Sequence, residues 1–177
     1  MTSWLVLIGS SVVLMELLLK HHSAGKKIGK NPVDRAKIGT KRSLCTDGSG
    51  IPLGCTIAGA NKNDFKILKE TLTSLFITPP VSKKKKGLCL DKGYDYSEVR
   101  ILLKELSYTE HIRSRGEEIQ EKKKGYKPRR WPVERTHSWM NRFRGILIRW
   151  SKKAENFLGQ IHLVCSYIIM GRCGLLG

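Results

Sequence analysis

The sequence predicts an α/β fold: a mixed sheet with an antiparallel three-strand unit and helices flanking it on both faces. Three observations carry that expectation. Two apolar runs flank Asp47-Gly48-Ser49-Gly50, a turn signal between strands. The apolar spacing then becomes helical from Asn63 and alternates between short strands and helices to the end of the chain. Finally, 177 residues at 40% hydrophobic content are enough for a single domain, residues 1–177, with a real core.

In chain order, "WLVLIGSSVV" reads as a first strand over about residues 4–13, followed by a second apolar segment. This N-terminus lacks a basic leader and an A-x-A-like cleavage site, and Gly9-Ser10-Ser11 and Glu16 interrupt it, so it reads as core and no membrane is expected. Residues 20–42 are basic and glycine-bearing, and read as a long loop, either a phosphate-contacting surface or a solvated linker. In the hairpin that follows, Asp47 serves the turn. Asp64 is the expected N-cap of a helix bearing Phe65, Leu68, Leu72 and Leu75, which Pro79-Pro80 closes.

Beyond the lysine run 83–86, "GLCLD" reads as a short buried strand. Asp95, with Glu98 three residues on, resembles a capping box for a helix whose stripe is Val99, Leu102, Leu103 and Leu106. "YTEHIR" is a further strand, residues 113–130 a charged loop, and helices follow from Pro132 and over about 153–170.

The charge narrows the partner. Thirty-three Lys+Arg against 15 Asp+Glu give a formal net charge of +18, which suits a polyanion, nucleic acid first among them. The five cysteines show no CxxC or Cys/His zinc spacing and read as free thiols in a reducing compartment.

Two places carry candidate chemistry. Asp91 ends a buried strand, at the kind of edge where α/β sheets place ligands; its spacing also fits a surface acid paired to Lys86 or Lys92. On the helix from Pro132, Val133, Thr136, Met140, Phe143 and Leu147 share one face. Glu134, His137, Ser138 and Asn141 form a polar stripe beside it, among Arg130, Arg135, Arg142, Arg144 and Arg149. Glu134 reads either as an ion-pair partner or as a carboxylate ligand for a hard cation such as Mg²⁺. Trp139 and Trp150 read as packing residues, and Trp131 as a candidate for stacking on bases.

The stretches "NPVDRAKIGTKRSLCTDGSGIPLGCTIAGANKND", "CLDKGYD" and "RRWPVERTHSWMNRFRGILIRWSKKAENF", in this order, resemble the DDE transposases of bacterial insertion sequences, in the branch with a ribonuclease-H-like core. The resemblance runs from about residue 29 to the end. It implies that Asp91 is the second acid of a catalytic triad and Glu134 the third, with Arg130 preceding Glu134 by four positions. It implies Mg²⁺ or Mn²⁺ held by Asp91 and Glu134, DNA cleavage at transposon ends and strand transfer into target DNA. It also implies DNA contacts from Lys41, Lys92, Arg130, Arg135 and Arg142, a homodimer, and a cytoplasmic, nucleoid-associated setting.

One acid of the pattern is missing. The family's first acid stands on the first core strand, and the matching tripeptide here is Ile8-Gly9-Ser10, with isoleucine in the acid's place. The expectation is a copy shortened at its N-terminus, lacking an upstream DNA-binding domain, whose catalysis is impaired. The alternative is a non-catalytic, basic, DNA-binding remnant of a transposase.

Overall fold

The computed structural model describes residues 11–21, 25–32, 38–76, 86–112 and 131–175. At its centre is β1 (Ser11–His21). Its long apolar sequence follows from being covered on both faces, as a central strand must be. On one side β1 pairs antiparallel with β3 (Ile38–Asp47), from Val12 opposite Asp47 to Leu19 opposite Thr40. The hairpin then returns as β4 (Pro52–Gly59), with a register shift between Cys45 and Thr46. On its other side β1 runs parallel to β5 (Lys86–Leu90), with Ser11 level with Gly87 and Val13 with Cys89.

Beyond β5 lies β6 (Tyr108–Ile112), also parallel. Parallel neighbours need a crossover, and α2 (Ser97–Glu105) supplies the one between β5 and β6. Two short strands, β2 (Gly29–Lys30) and β7 (Ile148–Arg149), pair with β3 and β1. The order β4-β3-β1-β5-β6 makes a mixed sheet with an antiparallel three-strand unit, as the sequence predicted.

Alternation along the strands builds two cores. Val12, Leu14, Cys45, Leu53, Leu88 and Leu90 pack under α1 (Asp64–Thr73) and α2. Met15, Leu17, Leu19, Leu44, Cys55, Ile57 and Cys89 pack on the opposite face, under α3 (Trp131–Met140) and α5 (Ala154–Arg172). Cys45, Cys55, Cys89 and Cys165 are buried free thiols and Cys173 is partly exposed. Among the described residues no helix is long and apolar enough to cross a membrane.

Several local expectations are corrected. The first described strand covers 11–21, so the second apolar segment belongs to a strand; the expected strand over 4–13 lies, up to residue 10, outside the described residues. The basic loop 20–42 is shortened at both ends by β1 and β3 and interrupted by β2. Asn63, not Asp64, caps α1, its side chain accepting from Phe65 N. Asp95 caps nothing: Tyr96 precedes α2 without a side-chain cap, and Asp95 instead accepts a 2.6 Å bond from Arg100.

The helix from Pro132 also ends sooner than its periodicity suggested. It stops at Met140, the chain turns, and a short α4 (Arg144–Leu147) leads into β7. Phe143 and Leu147 therefore do not continue the face of α3. Arg149 lies in β7, beyond the break. It is 1% exposed and is bonded to the carbonyls of Lys27, Ser151 and Lys152 and to Thr40 Oγ1, anchoring the chain back at the sheet. Trp150, next along, is 59% exposed, contrary to the packing role expected of it.

Candidate catalytic and DNA-binding site

The position of Glu134 is set by the β3–β4 turn. Asp47, fully buried, accepts bonds at Oδ1 from Ser49 N (2.8 Å) and Ile51 N (2.7 Å). Gly50 closes the turn at φ +81°, where a side chain would be strained and would meet Thr136 Oγ1 and Pro132 O. The N-terminal half of α3 rests on this turn. Thr136 Oγ1 donates to Gly50 O at 2.6 Å, and Arg135 donates to Ser49 O. Glu134 immediately precedes these anchors in sequence and is exposed.

Asp91 follows the last residue of β5 and is exposed. Its carbonyl accepts from Tyr94 N (3.0 Å), opening the 3-10 turn Lys92–Tyr94. Cys89, two residues before Asp91, and Val133, next to Glu134, belong to the same core.

Behind Asp91, on the α1 side, the buried Tyr94 donates to Glu16 Oε1 at 2.8 Å. Burial pushes the Glu16 carboxyl up to about 7, with the Tyr94 bond and Lys41 pulling the other way. Lys41 lies 3.8 Å from Glu16, donates to Lys62 O (3.2 Å) and pairs with Asp64. Lys41 was expected to contact DNA; instead its side chain is 17% exposed and engaged within the protein.

The polar stripe expected on α3 divides. Glu134 and Ser138 face solvent, while His137 is buried. Arg42, wholly buried on β3, donates to His137 Nδ1 (3.0 Å) and to Asn141 Oδ1 (3.3 Å). Burial first, and then the Arg42 charge, lower His137 to about 3, so the ring is neutral with Nδ1 as acceptor. Sequence reasoning missed Arg42 and its role here; a basic residue in an alternating strand carries no signal of which neighbour it meets.

Of the other expected DNA contacts, Arg142 is exposed, while Arg135 is half-buried and lies over the Trp139 ring at 4.9 Å. The backbone of Lys92 opens the 3-10 turn; Arg130 and Ile8 lie outside the described residues. Among the described residues, no group of three His, Cys, Asp or Glu side chains could hold a metal ion. Asp91 and Glu134 alone do not fit the three-acid site that the resemblance implied.

A second surface is built around Arg149. Its bonds to Lys27 O and Lys152 O bring the segment 25–30 against the loop before α5. Lys26, Lys27, Lys152 and Lys153 are all exposed there, beside exposed Trp150.

Comparison with known proteins identifies the family of this chain. Residues 16–169 match the family model described as Transposase DDE domain. The chain is 32% identical, over 149 residues, to a putative transposase for insertion sequence element IS402 from Burkholderia cepacia, covering 80% of this chain and 68% of that one. A solved piggyBac transposase synaptic complex with hairpin DNA is similar at 18% identity and a TM-score of 0.41, over 61% of this chain and 24% of that one. With its family model spanning most of the sequence and a relative aligned over two thirds of that relative's length, the chain belongs to the transposase DDE domain family.

Proposed function

We propose that this chain is a transposase core that binds DNA but does not cut it. The second half is supported by the acid count: the resemblance assigns only Asp91 and Glu134 to its three acid positions, and no group of three His, Cys, Asp or Glu side chains suited to a metal occurs among the described residues. Two-metal phosphoryl chemistry needs carboxylates to hold the ions in line with the attacking and leaving oxygens. With one ligand gone, no cleavage step is assigned to these residues.

DNA binding is supported by the net charge of +18 and by the exposed lysines around Trp150. Lys26, Lys27, Lys152 and Lys153 present ammonium groups to successive phosphates, and exposed Trp150 offers a ring on which an unpaired base can stack. Arg142, just beyond α3, is also exposed.

Fluorescence anisotropy with a labelled duplex tests this reading. The expected result is tight, sequence-tolerant binding at about 50 mM salt that weakens steeply by about 200 mM. Absence of binding at low salt would remove the proposal. The competing reading, an active nuclease, is favoured by the family match alone and requires metal-dependent nicking that Asp91→Asn or Glu134→Gln abolishes.

A further inference from the structure

The sequence motif places the missing first acid at position 8, but the sheet places it elsewhere. Resting on the transposase reading above, we infer that Met15 occupies the position where the first carboxylate of the metal site would stand. The parallel register of β1 and β5 sets Val13 level with Cys89. Continued by two residues, it sets Met15 level with Asp91. Position 8 lies seven residues before position 15 in the sequence, so this register does not bring it level with Asp91.

The face agrees with the register. Met15 packs, half-buried, against the core that holds Cys89 of β5 and Val133 and Met140 of α3. His137 of α3 faces the backbone of Met15. Glu134 lies one helical turn before His137 on α3. A carboxylate at position 15 would therefore leave the strand between Asp91 and the helix that carries Glu134.

Glu16, one residue away, cannot serve instead. Successive strand residues point to opposite faces, and Glu16 is held on the α1 side by Tyr94 at 2.8 Å, with Lys41 at 3.8 Å. A one-residue slip of β1 would carry it across, but would also move Leu14, Leu17 and Leu19 out of their cores.

Mn²⁺ alone is the probe. By calorimetric titration, Met15→Asp is expected to bind Mn²⁺ at least 10-fold more tightly than the unaltered chain, and adding Asp91→Asn to remove that gain. Ile8→Asp is expected to gain nothing. A folded Met15→Asp protein with no gain, or a gain in Ile8→Asp, overturns the inference.

A pair of cysteine variants tests the placement without metal. Neighbouring strands bring Cα atoms within disulfide range. Met15→Cys with Asp91→Cys is expected to give a 15–91 linked peptide under copper-phenanthroline oxidation, read by mass spectrometry, and Ile8→Cys with Asp91→Cys is not. The reverse pattern, or no 15–91 link, overturns the placement even where Met15→Asp fails to fold. Neither readout depends on DNA, so failure of DNA binding and failure of this inference are separable.

Discussion

Glu16 on the central strand and His137 on α3 show burial acting with opposite sign on an acid and a base. Glu16 folds with its carboxyl raised from 4.5 to about 7. The folded chain therefore holds a proton that the unfolded chain has lost between those values. This contribution to stability is full below about pH 4.5 and disappears as pH rises through about 7. At 13% side-chain exposure the effect is on the order of 2–3 kcal/mol. Glu16→Gln keeps an acceptor for Tyr94 without the charge. Its stability relative to the unaltered chain is expected to improve by about 1–3 kcal/mol between pH 5 and pH 8, measured by urea unfolding. Parallel pH profiles for the two proteins would contradict the burial argument. His137 acts with the opposite sign: depressed to about 3, its neutral ring supports folding above the ordinary histidine range, and that support is lost as pH falls toward 3.

Among the elements, the β3–β4 turn matters beyond the sheet because α3 is seated on it. Asp47→Ala leaves Ser49 N and Ile51 N without their acceptor. It is expected to cost about 2–3 kcal/mol in chemical denaturation. Thr136→Val, which removes the bond to Gly50 O, is expected to cost about 1 kcal/mol. A change within about 0.5 kcal/mol for Asp47→Ala would show that the turn does not depend on this side chain.

The hairpin was legible in the sequence because Asp-Gly chemistry is local, and Asp47 has the turn role expected of it. The helix starts were less so. Asn63 and Asp64 are adjacent residues able to cap, and only the backbone geometry chooses between them. Asp95 was drawn away from capping by Arg100, which bridges it to Glu110 of β6. Beyond the end of α3 at Met140, Arg149 reaches the Lys27 carbonyl, a contact distant in sequence that helical periodicity cannot register.

For the whole molecule, the chain order of the longer strands and helices was legible from alternating patterns and turn signals, and the strand leading to Asp91 was recognised directly, but the short β2 and β7 were not. Which residue of β1 faces Asp91 was not legible. A run such as "VVLMELLL" is apolar on both faces, so composition fixes neither register nor side; pairing with β3 and β5 fixes both. Charge was legible as a total, but its placement needed the fold: Lys41 turned inward, while Lys152 and Lys153 joined Lys26 and Lys27 through Arg149. Replacing Lys152 and Lys153 by Gln is accordingly expected to lower the slope of log affinity against log salt by about 2. An unchanged slope would place the DNA on another surface.

Strand cleavage tests the account most directly. A labelled duplex taken from the DNA bordering the reading frame would be incubated with the unaltered chain and with Met15→Asp, in Mg²⁺ and in Mn²⁺. The expected result is no nicked product from the unaltered chain in either metal, and metal-dependent nicking by Met15→Asp. Nicking by the unaltered chain that Glu134→Gln abolishes would contradict it.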